Sequence, residues 1–323
     1  MSELYLIKDV LVKDIEQEPI RKGFGRGLLE AGKRDENVVA ACADLTDSTQ
    51  MSLFAEAFPE RFVEIGVAEQ NLATVGSGLA AGGKMPFVSS YAAFSPGRNW
   101  EQIRTTICLN DRPVKIVGSH AGVSVGPDGA THQMLEDMAL MRVLPNMVVI
   151  APADSLEAEK ATLAMAIDKR PNYIRLAREA TPIITTEKTP FEIGRAYTYT
   201  EGSDLTVIST GTMTYHALAA AEQLFTEGID LEVVHVPTVK PLDIVTILAS
   251  VHKTKKVITV EEHQINGGLG GAIAELLGEE FPVPIKRLGI KDRFGQSGKP
   301  EELLEHYGLT AKHIMAHARK MVK

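Results

Sequence analysis

Between residues 38 and 176, hydrophobic positions cluster in short runs separated by Ala- and Leu-rich stretches of helical period. VVAACAD, FVEI, MPFVSS, VKIVGS, MVVIAP and YIRLA are β-rich and almost uninterrupted by charge. Their alternation with helical patterns predicts an α/β domain built on a mainly parallel sheet. The stretch EATPIITTEKTPFEIG, residues 179 to 194, carries two prolines, threonines and charges without a helical period, and reads as a linker. A second series follows: DLTVIST, the helical TYHALAAAEQLFTEG, LEVVHV, KKVITVEE, the glycine cluster GGLGGAIAELL, and VPIKRLG. The expected architecture is therefore two three-layer α/β domains, residues 1–180 and 195–323, joined by 181–194.

Length and charge narrow the function. A chain of 323 residues and 35.0 kDa exceeds the size at which single cores usually stop growing. Its 34 basic and 42 acidic residues leave a formal charge of −8 with no block of like charge, which disfavours nucleic acid or an anionic membrane as partner. Cys42 and Cys108 sit in apolar surroundings without C-x-x-C spacing, as buried free thiols of a reducing compartment would. No apolar run is long enough to span a bilayer, and the start, MSELYLIKDV, lacks the features of a secretory signal, so a soluble cytoplasmic protein is expected.

Several motifs invite a functional reading and fail it. GGLGGAIAELL follows a strand, yet matches neither the dinucleotide spacing nor the phosphate loop; close helix packing, with Asn266 near the helix start, explains it better. GSGLAAG is no nucleophile elbow, which leaves Ser77 without a claim to catalysis. His313 and His317 share a helix face but lack a third ligand, so no metal site is assigned to this chain.

Two stretches resist the bland reading. SHAGVSVGPDGATHQ is a long glycine-rich loop after a strand, where open α/β sheets bind ligands; His120, Asp128 and His132 could hydrogen-bond hydroxyls there, although loops need glycines for turns as well. In ERFVEIGVAEQ, Glu60 is expected to be solvated and Glu64 to hold the end of a strand. Glu69 falls in the first turn of a helix, where the dipole favours a carboxylate at the surface. The helix behind it, LATVGSGLAAGG, is small and uncharged, which implies burial on most faces and a partly buried Glu69. No donor is evident nearby in sequence, leaving room for a ligand or a partner chain.

The order ACADLTDS, FVEIGVAEQNLATVGSGLAAGGKMPFVSSYAAF and SHAGVSVGPDGATHQ resembles the pyrimidine-binding domain of thiamine-diphosphate enzymes of the transketolase family. VPTVKPLD, VEEHQINGGLGGAIAELL and DRFGQSG resemble that family's C-terminal domain. No G-D-G motif occurs, so the resemblance implies the C-terminal subunit of a split transketolase, inactive alone. A partner chain would hold the diphosphate and the Mg²⁺ or similar ion, and the family implies an α2β2 assembly.

Carried over by motif, Glu69 matches the glutamate that hydrogen-bonds the aminopyrimidine and promotes the imino form that generates the ylide nucleophile. Phe94 and Tyr91 match aromatic residues packed on that ring, with core packing as the competing reading. The family's next aromatic falls near Gly97. Asp44 matches a residue near the cofactor, or else forms the turn at a strand end. His120, Asp128 and His132 match residues that bind sugar hydroxyls or line their path. Arg21, Ser48 and Arg178 match the phosphate grip, with Arg175 a weaker substitute for Arg178. The implied reaction is ketol transfer between sugar phosphates. The rivals are a deoxyxylulose-phosphate synthase-like or 2-oxo acid dehydrogenase-like subunit using a 2-oxo acid donor, and a non-catalytic thiamine-binding half.

Overall fold

The computed structural model describes residues 5 to 323 apart from Lys13. In chain order, β1 (Gln17–Pro19) leads into α1 (Ile20–Arg34), β2 (Val38–Cys42), α2 (Ser52–Ala57) and β3 (Phe62–Glu64). Next come α3 (Glu69–Ala81), β4 (Met85–Tyr91) and α4 (Trp100–Gln102), which runs on as a π-helical stretch, Ile103–Cys108. β5 (Lys115–Ser119), α5 (Asp137–Arg142), β6 (Val148–Ile150), α6 (Ser155–Ile167) and β7 (Asn172–Arg175) complete the first half. The second half holds β8 (Ala180–Pro182), β9 (Tyr197–Thr200), β10 (Leu205–Ser209), α7 (Met213–Phe225), β11 (Leu231–His235) and β12 (Thr238–Lys240). It ends with α8 (Ile244–Thr254), β13 (Val257–Gln264), α9 (Leu269–Glu280), β14 (Ile285–Ile290), α10 (Pro300–Tyr307) and α11 (Ala311–Val322).

Every apolar run read as a strand is one, and two α/β sheets result. The first has the order β12-β6-β7-β5-β4-β2-β3, parallel throughout except for β12. Alternate residues of its strands serve opposite faces. Val38, Ala40, Cys42, Phe87 and Val117 pack with Phe24 and Leu28 of α1 and Ala158 and Ala161 of α6. Ala41, Val88, Ile116 and Val149 pack with Leu72 and Ala73 of α3 and Met138 and Met141 of α5. Both faces are covered, which is why the central strands are predominantly apolar. The second sheet, β14-β13-β10-β11-β9, is sandwiched likewise, with α7 and α11 on one face and α8 and α9 on the other. Cys42 and Cys108 are buried free thiols, and burial pushes Cys108 up to about 12.

The apolar pattern does not reveal four short strands, β1, β8, β9 and β12. β8 lies inside the expected linker and pairs antiparallel with β1. β12, from the second half, closes the edge of the first sheet against β6. Segments of three or four residues have no period to detect, and their pairing is decided by tertiary contact. The linker is also pinned: the Asp154 carboxylate accepts Ile184 N–H at 2.9 Å, Thr185 N–H at 2.7 Å and the Thr185 hydroxyl at 2.8 Å.

Two expectations about helix surfaces need correction. α3 is not buried on most faces: Leu72, Ala73, Gly76 and Ala80 face the sheet, while Gln70, Asn71, Thr74 and Gly78 are exposed. Small residues mark close packing, but they do not say on how many sides. At α9, the cap is Gly268 rather than Asn266. The Glu261 carboxylate accepts the N–H groups of Leu269 at 2.7 Å and Gly270 at 2.8 Å, and burial pushes it up to about 7. The anion site of this glycine-rich helix start is thus filled from within the chain.

α1 crosses α6 so closely that a Cβ on Gly23 would stand 1.8 Å from the Ser155 carbonyl oxygen. Backbone cannot rotate out of the way, so Gly23→Ala is expected to cost about 2 kcal/mol or more. A lowered urea midpoint with an unchanged slope would register that cost.

Candidate functional site

The carboxyl ends of β4 and β5 bring the candidate residues together, where a parallel sheet presents its loops. β4 ends at Tyr91 and β5 at Ser119, so His120 emerges beside Tyr91. The two rings stack with centroids 3.9 Å apart at 26°. Phe94, one turn beyond β4, lies 6.1 Å from Tyr91, and His132 meets Phe94 edge-on at 5.5 Å. His120 has φ of 59° and its Nδ1 is 2.8 Å from the Ser119 hydroxyl. Burial, with Arg21, Arg178 and His132 nearby, lowers its pKa to about 3.

The basic end of the site comes from α1 and the segment after β7. Arg21 donates through Nη1 to the Arg178 carbonyl. Arg178 donates to the Val125 carbonyl at 2.7 Å and stands 3.9 Å from Asp128 and 3.5 Å from Glu179. Arg21 Nε is buried without a partner among the described residues, an orphaned donor beside a second guanidinium that suits an anionic ligand. Burial also lowers the pKa of Arg21, with Arg178 adding repulsion.

Glu69 opens α3 at 1% exposure. A donor is present after all: Arg98 Nη1 reaches Oε2 at 2.6 Å, and the Ser90 hydroxyl stands 3.3 Å from Oε1. Asn99 Nδ2 donates to the Glu69 carbonyl at 2.9 Å. Sequence distance hid Arg98, although it lies one helical turn beyond Phe94, and its guanidinium covers the Phe94 ring at 4.8 Å. A buried carboxylate whose arginine partner rests on an aromatic ring offers an acceptor and a stacking face, which fits a flat nitrogen heterocycle such as an aminopyrimidine. Beside it lies an open cavity of about 570 Å³ lined by Val67, Asn71, Thr74 and Gln102.

The other glutamates and the remaining candidates sort by contact. Glu60 is exposed. Glu64 accepts the N–H groups of Asp44 at 2.7 Å and Gly66 at 2.8 Å, tying the ends of β2 and β3. Asp44 itself is exposed with φ of 58°, a turn conformation. Ser48 is half-buried in the turns after β2 and makes no hydrogen bond to the arginines among the described residues. Arg175 is no substitute for Arg178, because it is consumed in a buried pair with Asp137 at 2.8 Å and donates to the Glu262 carbonyl at 2.7 Å.

The loop carrying Asp128 and His132 is braced by the second half of the chain, a role that sequence reading missed. Glu262 Oε1 accepts Ser124 N–H at 2.6 Å, and a Cβ on Gly122 would stand 2.3 Å from that oxygen. Gln133 Nε2 donates to the carbonyls of Val123 and Gly126 at 3.1 Å and of Gln296 at 2.9 Å. The available signal was VEEH, three consecutive ionisable residues in a strand that is otherwise uncharged.

The fold is that of a two-domain α/β protein, and its match to known families gives the class. The profile described as "Transketolase, pyrimidine binding domain" matches residues 17–183, and "Transketolase, C-terminal domain" matches 194–314. The chain belongs to the transketolase family, with the domain content of the C-terminal half of a split transketolase. It is 47% identical over 309 residues to a "Putative transketolase C-terminal section" of Methanocaldococcus jannaschii, covering 93% of this chain and 96% of that one. It is 40% identical to the "6-deoxy-6-sulfo-D-fructose transketolase subunit SqwH" of a Clostridium species, covering 96% of each. The solved structure described as "Split gene transketolase, inactive beta4 tetramer" superposes with a TM-score of 0.88 at 44% identity, covering 94% of this chain and 98% of that one.

Two outcomes test the geometry. Glu262→Ala should speed exchange of the Ser124 amide roughly tenfold to a hundredfold, the cost of a charge-assisted hydrogen bond, whereas Glu262→Gln, which keeps an acceptor, should change it less. The depressed pKa of His120 means that the unfolded chain binds the proton first, so its contribution to stability is lost as pH falls from 6.5 toward about 3. Its ring resonances should therefore stay constant from about pH 8 to about pH 5.

Proposed function

We propose that this chain is the pyrimidine-binding subunit of a two-chain transketolase that moves a two-carbon ketol unit from a ketose phosphate to an aldose phosphate. The carrying observation is Glu69, a carboxylate buried at the start of α3 and linked through Arg98 to the face of Phe94. When bound, thiamine diphosphate would supply the carbon nucleophile and the electron sink. Glu69 would hold and share a proton at the ring nitrogen, with Phe94 and Tyr91 fixing the ring plane. His120 enters as a neutral ring able to accept or donate a hydrogen bond to a sugar hydroxyl, with His132 and Asp128 at its rim. Arg21 and Arg178 would grip the phosphate by forked, charge-assisted bonds, and Ser48 and Asp44 would approach only as the ligand orders their turns.

The diphosphate and a divalent ion would lie on an N-terminal partner subunit, in an α2β2 assembly working in the cytoplasm, as in pentose phosphate metabolism. Inactivity of the chain alone follows from this reading, in keeping with the solved relative whose beta tetramer is described as inactive. Among the described residues no helix is long and apolar enough to cross a membrane.

The test is reconstitution with a subunit that carries the diphosphate site, assayed with xylulose 5-phosphate and, separately, with pyruvate. Transfer from the ketose phosphate is expected, and Glu69→Ala should reduce it by about a hundredfold to ten-thousandfold. Turnover of pyruvate alone, or full ketol transfer by Glu69→Ala, would overturn the reading.

A further inference from the structure

Arg98 makes the same two contacts that the proposed reading assigns to the aminopyrimidine. Its guanidinium lies over Phe94 at 4.8 Å and donates to Glu69 Oε2 at 2.6 Å. Guanidinium and aminopyrimidine are both flat and rich in nitrogen, and either can rest on an aromatic face while satisfying a carboxylate. Both cannot do so here at once. We propose that Arg98 is an internal stand-in for the pyrimidine ring: it occupies Glu69 and Phe94 in the free subunit and must leave them for the ring to bind. This rests on the reading of Glu69 and Phe94 as the pyrimidine contacts and adds a gate to it.

The surroundings separate a removable plug from a permanent salt bridge. Glu69 does not depend on Arg98 for its position. Its carbonyl is held by Asn99 Nδ2 at 2.9 Å and its Oε1 faces the Ser90 hydroxyl at 3.3 Å, so only Oε2 relies on the guanidinium. The Arg98 side chain is 49% exposed while Glu69 is 1% exposed. One partner is fixed and buried, and the other is free to turn toward the open cavity beside it. Withdrawal without replacement would leave a buried carboxylate with one long hydrogen bond, which is costly. Exchange is therefore favourable only for a ligand that restores both the stack and the bond to Oε2. Such a gate disfavours anything offering one contact alone.

The ring by itself tests this on the full chain without a partner. 4-Amino-2-methylpyrimidine is titrated into wild type, Arg98→Ala, Arg98→Gln, and the double variant Arg98→Ala/Glu69→Ala, with binding read by saturation-transfer NMR and calorimetry. Arg98→Gln guards against misfolding, because its amide can still donate to Oε2. Arg98→Ala is expected to bind the ring at least about tenfold more tightly than wild type, and the double variant to lose that gain. Equal affinity in wild type and both single variants would overturn the gate, as would weaker binding in them or no binding in any form. Retention of the gain in the double variant would instead overturn the assignment of Glu69, whatever Arg98 does.

Discussion

A carboxylate taken out of water must be met by donors, and that constraint fixes how the two halves of this protein meet. Glu262, at the carboxyl end of β13, is 3% exposed; its side chain accepts Ser124 N–H from the first half, while its carbonyl accepts Arg175. Asp137 holds the other end of Arg175 and takes the Tyr173 hydroxyl at 2.8 Å. Glu157 of α6 reaches across to His235 of β11 at 2.8 Å, with Thr214 on the far ring nitrogen. Burying these groups singly would be prohibitive; burying them in pairs across the seam makes the relative placement of the halves specific.

That seam matters because the candidate site is not contained in the first sheet alone. β4 and β5 supply Tyr91, Phe94 and His120, but the loop to His132 gains its shape from Glu262 and from the 292–298 segment, against which Gly126 and Gly129 pack. Positive φ at Gly122, Gly126 and Gly129 lets that loop follow the surface of the second half. Through these contacts the C-terminal half sets where Asp128 and His132 stand. A second domain can thereby govern the geometry of a site on the first.

Legibility from sequence followed the range of the interaction. Strands buried on both faces announce themselves by continuous apolar runs, and all of the runs so read are strands. β8 and β12 are three residues long and owe their existence to partners far away in the chain, so no local pattern encodes them. Glu69 could be singled out through the composition of the helix behind it. Its salt-bridge partner could not, because Arg98 is 29 residues away and looks like any loop arginine. The glycine cluster of α9 looked like an anion cradle because it is one, and only the structure says that the anion is Glu261.

Glu261 and Glu69 show what distinguishes a structural carboxylate from one available to chemistry. Glu261 takes two backbone N–H groups of a helix that cannot move without unfolding, so its donors are permanent. Glu69 sits at the start of a helix too, but its strongest donor is a side chain nearly half exposed, on a loop, beside an open cavity. Burial alone treats the two alike. What differs is whether the donor can be exchanged at small cost, and an exchangeable donor on a buried acid lets a ligand enter without breaking the fold. By that criterion α3, rather than α9, carries the helix start that is open to a ligand.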